Sequence, residues 1–120
     1  MAASASRRVL LVEDEPIVAI ALQDMLEELG YEVVGPAFRL ARALELAGSE
    51  AIDAAILDVN MGDGDSYGVA ARLKARGVPY LFATGYGAAG LEPGHEDALV
   101  LQKPYREAQV AQALEQLLGR

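Results

Sequence analysis

The sequence predicts an α/β fold: a doubly wound parallel sheet of five strands with helices on both faces. Three observations carry this. Five short apolar runs, each too short for a helix and bounded by turn residues, read as buried strands. Stretches of helical periodicity separate most of them. Four of the runs lead into acids, a hydroxyl or a lysine, at the carboxyl edge where open parallel sheets place their ligands.

Val9–Val12 is the first strand, followed by Glu13-Asp14-Glu15 and then Pro16. Proline fits the first turn of a helix, where its missing N–H is no loss. That helix is predicted from about Pro16 to Leu29, with Val18, Leu22, Met25 and Leu29 on one face and Gly30 as its stop. Tyr31–Val34 is the second strand, nearer an edge and ended by Gly35-Pro36. Leu40, Ala43, Leu44 and Ala47 mark the second helix, closed by Gly48. Ala54–Val59 is the third strand, carrying Asp58 at its end, and Asn60–Asp65 is a Gly/Asp-rich loop. Val69, Ala70 and Leu73 mark the third helix, stopped by Gly77, and Pro79–Ala83 is the fourth strand, running into Thr84-Gly85. Gly87, Gly90, Pro93 and Gly94 oppose helix formation, so only a short or frayed fourth helix is expected between Tyr86 and Asp97. Leu99–Leu101 is the fifth strand, followed by Lys103-Pro104. The last helix runs from about Arg106 to Leu118, with Val110, Leu114 and Leu117 facing inward.

A chain of 120 residues fits one domain with a real core. Residues 1–6 are expected to be a disordered leader and residues 7–120 the domain. The chain has no cysteine, which excludes disulfides and thiolate metal sites. Its formal net charge of −8 argues against nucleic acid or an anionic membrane as partner and suits a metal cation or a basic protein face. Val9–Val12 is far too short for a signal-peptide core, and no stretch approaches a membrane span. A cytoplasmic location is expected.

In a parallel sheet the carboxyl ends of all strands share one edge, so Glu13, Asp14, Asp58, Thr84 and Lys103 converge there despite their separation in sequence. Asp14 and Asp58 as neighbours would repel by a few kcal/mol at about 4–5 Å. A hard divalent cation relieves this, and carboxylates with a backbone carbonyl and waters suit Mg²⁺. Lys103 is a point charge for an anion beside the metal, and Thr84 offers a hydroxyl. A carboxylate nucleophile with these companions suits phosphoryl transfer to the carboxylate.

The runs Val9–Glu15, Ile56–Met61, Thr84-Gly85 and Lys103-Pro104 together resemble a two-component response regulator receiver domain, over nearly the whole chain. The resemblance implies a flavodoxin-like (βα)5 sheet of order 2-1-3-4-5. It implies that Asp58 accepts a phosphoryl group from a histidine kinase, and that Asp14, Asp58 and the backbone carbonyl of Asn60 hold Mg²⁺, with Glu13 acting through water. Lys103 would bind a phosphoryl oxygen, Thr84 would move toward it, and the Lys103–Pro104 peptide would be cis. Such a domain is not an enzyme on a separate substrate; it promotes its own phosphorylation and dephosphorylation. Phe82–Tyr86 is similar to the Phe-Ala-Thr-Gly-Tyr subgroup of stand-alone receivers, associated with sensor histidine kinases of the HWE and HisKA2 types. Signalling is expected through contacts with a downstream protein target, governed by the Tyr86–Asp97 segment. The alternatives are a phosphate sink or a receiver-like interaction module that is never phosphorylated.

Two positions depart from the family pattern. Val100 stands where most receivers carry an aromatic, with Tyr86 the candidate substitute; Gly62 stands where most carry proline, which predicts a looser loop at Gly62–Asp65. Asp63 and Asp65 are expected as loop residues modulating metal entry, Tyr86 and Tyr105 as packing or surface aromatics, and His95 as solvent-exposed. A flavin-binding protein of the same sheet order needs phosphate-cradling donors after strand one, where this chain has three acids. A haloacid-dehalogenase-type phosphatase needs a second aspartate two residues after the first, where this chain has Asn60.

Overall fold

The computed structural model describes residues 6–85, 91–95 and 98–119. In chain order the elements are β1 (Arg8–Val12), α1 (Pro16–Glu28), β2 (Glu32–Ala37), α2 (Leu40–Ser49), β3 (Ala54–Asp58), α3 (Tyr67–Ala75), β4 (Tyr80–Thr84), β5 (Leu99–Gln102) and α4 (Glu107–Leu118). All strand pairs are parallel, in the order β2-β1-β3-β4-β5. This is the predicted doubly wound sheet, with β2 at an edge. The chain reverses its winding between β1 and β3, which opens the crevice at their carboxyl ends.

Strand alternation divides the core in two. Leu10 and Val12 of β1, Ala55 and Leu57 of β3 and Phe82 of β4 belong to a cluster closed by Ala43, Leu46 and Ala47 of α2 and Val69, Ala70 and Leu73 of α3. Val9 and Leu11, Ala54 and Ile56, Leu81 and Ala83, and Leu101 belong to the other, closed by Leu22 and Leu26 of α1 and Val110 and Leu114 of α4. β3 is buried along its whole length, because both of its faces are covered.

Several details differ from expectation. The buried stripe of α1 is Ala19, Leu22 and Leu26, while Met25 and Leu29 only flank it. The sequence pattern marked the apolar arc but not which of its residues are covered, because packing against the sheet decides that. β2 continues past Val34 through Gly35-Pro36 to Ala37, since a register irregularity against Leu10–Val12 lets the edge strand absorb the proline. The helix expected within Tyr86–Asp97 falls mostly on residues 86–90 and 96–97, which lie outside the described residues, as do Tyr86 and residues 1–5 of the leader; Leu91–His95 form bends and turns. His95 is half-buried rather than exposed: it stacks on Tyr67 with ring centroids 4.4 Å apart. No short-range pattern signals such a contact across 28 positions of sequence.

The Asn60–Asp65 loop is tied down rather than loose. Met61 N–H donates to the Gly64 carbonyl at 2.8 Å, Ser66 N–H to Val59 at 3.0 Å, and the Met61 side chain is buried in the first cluster. Asp63 and Asp65 act as helix anchors: Asp63 Oδ2 accepts from Leu40 N–H at the start of α2 (3.3 Å), and Asp65 Oδ1 from Tyr67 N–H at the start of α3 (3.1 Å). Each satisfies an orphan donor of a helix first turn. Asp63→Ala is expected to cost about 1 kcal/mol of stability. Urea unfolding checks this, with Asp63→Asn avoiding most of the loss because the amide oxygen still accepts.

Candidate functional site

The parallel register brings the strand ends together. Val12 pairs with Leu57, so Glu13 follows beside Asp58; Asp58 pairs with Ala83, and Thr84 with Gln102, next to Lys103. Alternation also sorts the faces. Glu13 continues the row Val9-Leu11, Asp58 the row Ala54-Ile56, and Lys103 follows Leu101, all on the side of α1 and α4. Asp14 and Thr84 continue rows of the opposite face.

The charged groups meet as this register requires. Lys103 Nζ lies 2.7 Å from Glu13 Oε1 and 3.4 Å from Asp58 Oδ2. Glu13, Asp14 and Asp58 each present a carboxylate oxygen within 4.8 Å of the others. Glu13 is 1 % exposed and Asp58 7 %. Such burial requires partners. Glu13 has them: Oε1 accepts from Lys103, Oε2 from Glu15 N–H at 3.1 Å, and its own N–H donates to the Ala37 carbonyl of β2 at 3.0 Å.

Asp58 is poorly served as an anion. Burial pushes its pKa up to about 7, and the neighbouring Glu13 charge adds to this; Lys103 opposes both. Hydrogen bonds with the Glu13 and Asp14 side chains raise it further, as expected where carboxyls share a proton. Burial acts to lower the Lys103 pKa, but its hydrogen bond to Glu13 and the two carboxylate charges outweigh this and hold it above its ordinary value. Lys103 is therefore a fixed cation. Three clustered hard-oxygen donors with one proton to spare fit a divalent cation of the Mg²⁺ type.

Thr84 is buried at the end of β4, and its carbonyl accepts from Lys103 N–H at 2.9 Å, which locks the end of β5 to β4. The Lys103–Pro104 peptide is cis, as expected. Asn60 lies two residues beyond Asp58, exposed, with its side-chain oxygen accepting from Gly62 N–H at 3.1 Å. Gly62 has φ +81°, and a Cβ there would stand 3.1 Å from Asp14 Oδ2. The loop backbone thus passes against the Asp14 carboxylate, and both the positive φ and the close approach favour glycine. Tyr105 was not among the candidate site residues, yet its hydroxyl is buried and feels both the Glu13 and the Asp58 charge. Its place two residues after Lys103 was the available signal.

Comparison with known proteins agrees with this geometry. The response regulator receiver domain family matches residues 9–115. The phyllosphere-induced regulator PhyR of Methylorubrum extorquens is 33 % identical, over 98 % of this chain and 46 % of its own length. The chain spans about half the length of the curated relatives it matches. Among solved structures, SdrG from Sphingomonas melonis is 45 % identical, covering 96 % of this chain and 98 % of that one, with a TM-score of 0.84; its BeF3-activated conformation gives 0.81. The receiver domain of the sensor histidine kinase PA1611 from Pseudomonas aeruginosa, with a magnesium ion coordinated in its active-site cleft, is 25 % identical over 97 % of this chain and 100 % of that one, with a TM-score of 0.80. Among the described residues no helix is long and apolar enough to cross a membrane. The chain belongs to the response regulator receiver domain family, the modules of two-component systems that are activated by phosphorylation.

Proposed function

We propose that Asp58 is the phosphoacceptor of this domain, with Lys103 and Thr84 serving the phosphoryl group and Glu13, Asp14, Asp58 and the Asn60 carbonyl forming the Mg²⁺ site. The observation that carries this is the contact triangle in which Lys103 Nζ reaches both Glu13 and Asp58 beside the Asp14 carboxylate. An Asp58 carboxylate oxygen attacks phosphorus, the bond from phosphorus to the kinase imidazole nitrogen breaks, and the imidazole leaves with that electron pair. Asp58 must be ionised to attack. A bound cation would supply the charge neutralisation that holds Asp58 as an anion beside the other acids. Lys103 meets the transferred oxygens as a charge-assisted donor, and the Thr84 hydroxyl is the further donor at the rim.

Receiver domains interact with histidine kinases and downstream targets. For this chain we take the kinase to be of the HWE or HisKA2 type, on the strength of the Phe82–Tyr86 run, and the output to be protein contacts. Residues 7–120 are taken as one receiver unit. The burial of Glu13 and Asp58 and the contact of both with Lys103 favour this over a module that is never phosphorylated.

Incubation with acetyl phosphate and Mg²⁺ is expected to add one phosphoryl mass, lost on alkaline treatment, and a chelator is expected to suppress it. Asp14→Asn is expected to slow labelling about tenfold or more, as loss of support at a metal site generally does. A parent chain that gains no mass under these conditions would refute the assignment.

A further inference from the structure

The turn after Asp58 is built on Gly62, and it meets the acid cluster at one point. Gly62 has φ +81°, and its N–H donates to Asn60 Oδ1 at 3.1 Å. Proline could not make this turn, since it lacks both the dihedral angle and the donor. A Cβ added at Gly62 would stand 3.1 Å from Asp14 Oδ2, and apart from its chain neighbours that oxygen is the one atom within 4 Å of it among the described residues.

The turn is not free to retreat from this contact. The Met61 side chain is buried in the first core cluster, and Met61 N–H donates to the Gly64 carbonyl at 2.8 Å. Asn60 and Asp65 pair across the turn, Asp63 is tied to the start of α2 through Leu40 N–H, and Asp65 to the start of α3 through Tyr67 N–H. On the other side of the contact stands Asp14, half-buried beyond the end of β1, with a carboxylate oxygen in the acid cluster. Each side therefore carries a group of the cation site proposed above: Asp14 its carboxylate, the turn the Asn60 carbonyl. A side chain at position 62 has to displace one or the other, because 3.1 Å is closer than a side-chain carbon ordinarily comes to such an atom. Either displacement separates two ligands. We propose that Gly62 is a positioning residue for the cation site: its missing side chain lets the turn close against Asp14 and keeps that carboxylate in register with the Asn60 carbonyl. The proposal rests on the Mg²⁺ reading above. It matters most for a small cation, since Mg²⁺ holds its oxygens at about 2.0–2.1 Å in a near-ideal octahedron.

Calorimetric titration of the full chain with Mg²⁺ tests this, with thermal unfolding in chelator beside it. Gly62→Ala is expected to weaken Mg²⁺ binding about tenfold or more, the usual worth of a group that orients a ligand. It should also lower Tm, because alanine resists a left-handed φ. Gly62→Asn separates the two effects and serves if Gly62→Ala does not fold. Asparagine accepts a positive φ more readily, but its Cβ stands in the same place. It is expected to regain part of the Tm while Mg²⁺ binding stays about tenfold weaker than in the parent. Gly64→Ala is the control within the same turn: φ there is +146°, and a Cβ would meet Leu40 Cδ1 at 2.8 Å, the end of a flexible side chain and no ligand. It is expected to lower Tm and leave Mg²⁺ binding at the parent value. Were Gly62 merely structural, Gly62→Asn would bind Mg²⁺ like the parent, or Gly62→Ala and Gly64→Ala would lose affinity alike; either result would overturn the proposal alone. A parent that binds no Mg²⁺ would refute the cation-site reading, and the proposal with it.

Discussion

Asp58→Asn will accept no phosphoryl group and, with metal chelated, will be more stable than the parent at and above neutral pH. The first half follows from chemistry, because an amide oxygen is no nucleophile toward phosphorus. The second half follows from burial. The folded chain raises the Asp58 pKa from 3.8 to about 7, chiefly by desolvation and then by the Glu13 charge. A raised carboxyl pKa means that the folded state binds this proton more tightly than the unfolded chain does. The associated stability is complete below pH 4 and is lost progressively as pH rises through about 7. The full loss is on the order of 4 kcal/mol at most. Asparagine titrates nowhere, so the variant should lack this decline and exceed the parent by about 2–4 kcal/mol near pH 8, with the gap closing near pH 4. Urea unfolding in chelator at the two pH values reads the difference. Adding Mg²⁺ should raise the parent selectively, since a ligand that binds only the folded state stabilises it. A variant less stable than the parent near pH 8 would show that Asp58 is comfortable as an anion without metal.

Lys103→Ala is expected to do the opposite in chelator. It removes the cation shared by Glu13 and Asp58, whose side chains are 2 % and 9 % exposed. Breaking a buried pair from one side costs about 3–5 kcal/mol; Lys103, with a side chain 21 % exposed and so partly screened, should fall at or below that range, at about 2–3 kcal/mol. The pH dependence has a definite sign. The attraction of Lys103 is what lowers the Asp58 pKa against the other causes. Its loss lets Asp58 hold its proton to higher pH, so the destabilisation should be largest above pH 7 and shrink on acidification. Labelling by acetyl phosphate should persist at a reduced level, because nucleophile and metal ligands remain, while the response to it is blunted. Hydrogen exchange with and without phosphodonor checks the response, and a Lys103→Ala chain that responds like the parent would remove Lys103 from the signalling step.

These two variants differ in sign because the site is overfilled with acid. Three carboxyl groups each place an oxygen within 4.8 Å of the others, and one lysine contacts two of them, so removing an acid relieves the cluster and removing the cation aggravates it. An N-terminal acid run is ordinarily a solvated turn. Here Val12 pairs with Leu57, which sets Glu13 against Asp58 and makes the turn part of the site.

The fold and the main site were legible in the chain because their signals are local. Each strand is a short apolar run, and the polar residue following it needs no further information to be placed on the carboxyl edge. Asp14, Asp58 and Lys103 could thus be gathered without coordinates. Features that depend on contacts between distant segments were not legible. Asp63 and Asp65 looked like loop acids until Leu40 and Tyr67 presented N–H groups to them. His95 looked exposed until Tyr67 came beneath it. The buried residues of α1 are Ala19, Leu22 and Leu26 rather than the full set the periodicity marked, because the sheet surface selects which residues of an apolar arc it covers.

By itself the sequence determined that this is a parallel α/β sheet whose carboxyl edge carries an acid cluster, a threonine and a lysine, since apolar runs and periodicity encode strands and helices locally. Only the tertiary structure decided how those charges are shared: that Lys103 rests on Glu13 more closely than on Asp58, that Asp58 is held as a reluctant anion, and that the Tyr105 hydroxyl lies buried with no acceptor. The physical reason is that desolvation and ion pairing depend on distances of a few ångströms between groups brought together from across the chain, and no local pattern fixes these.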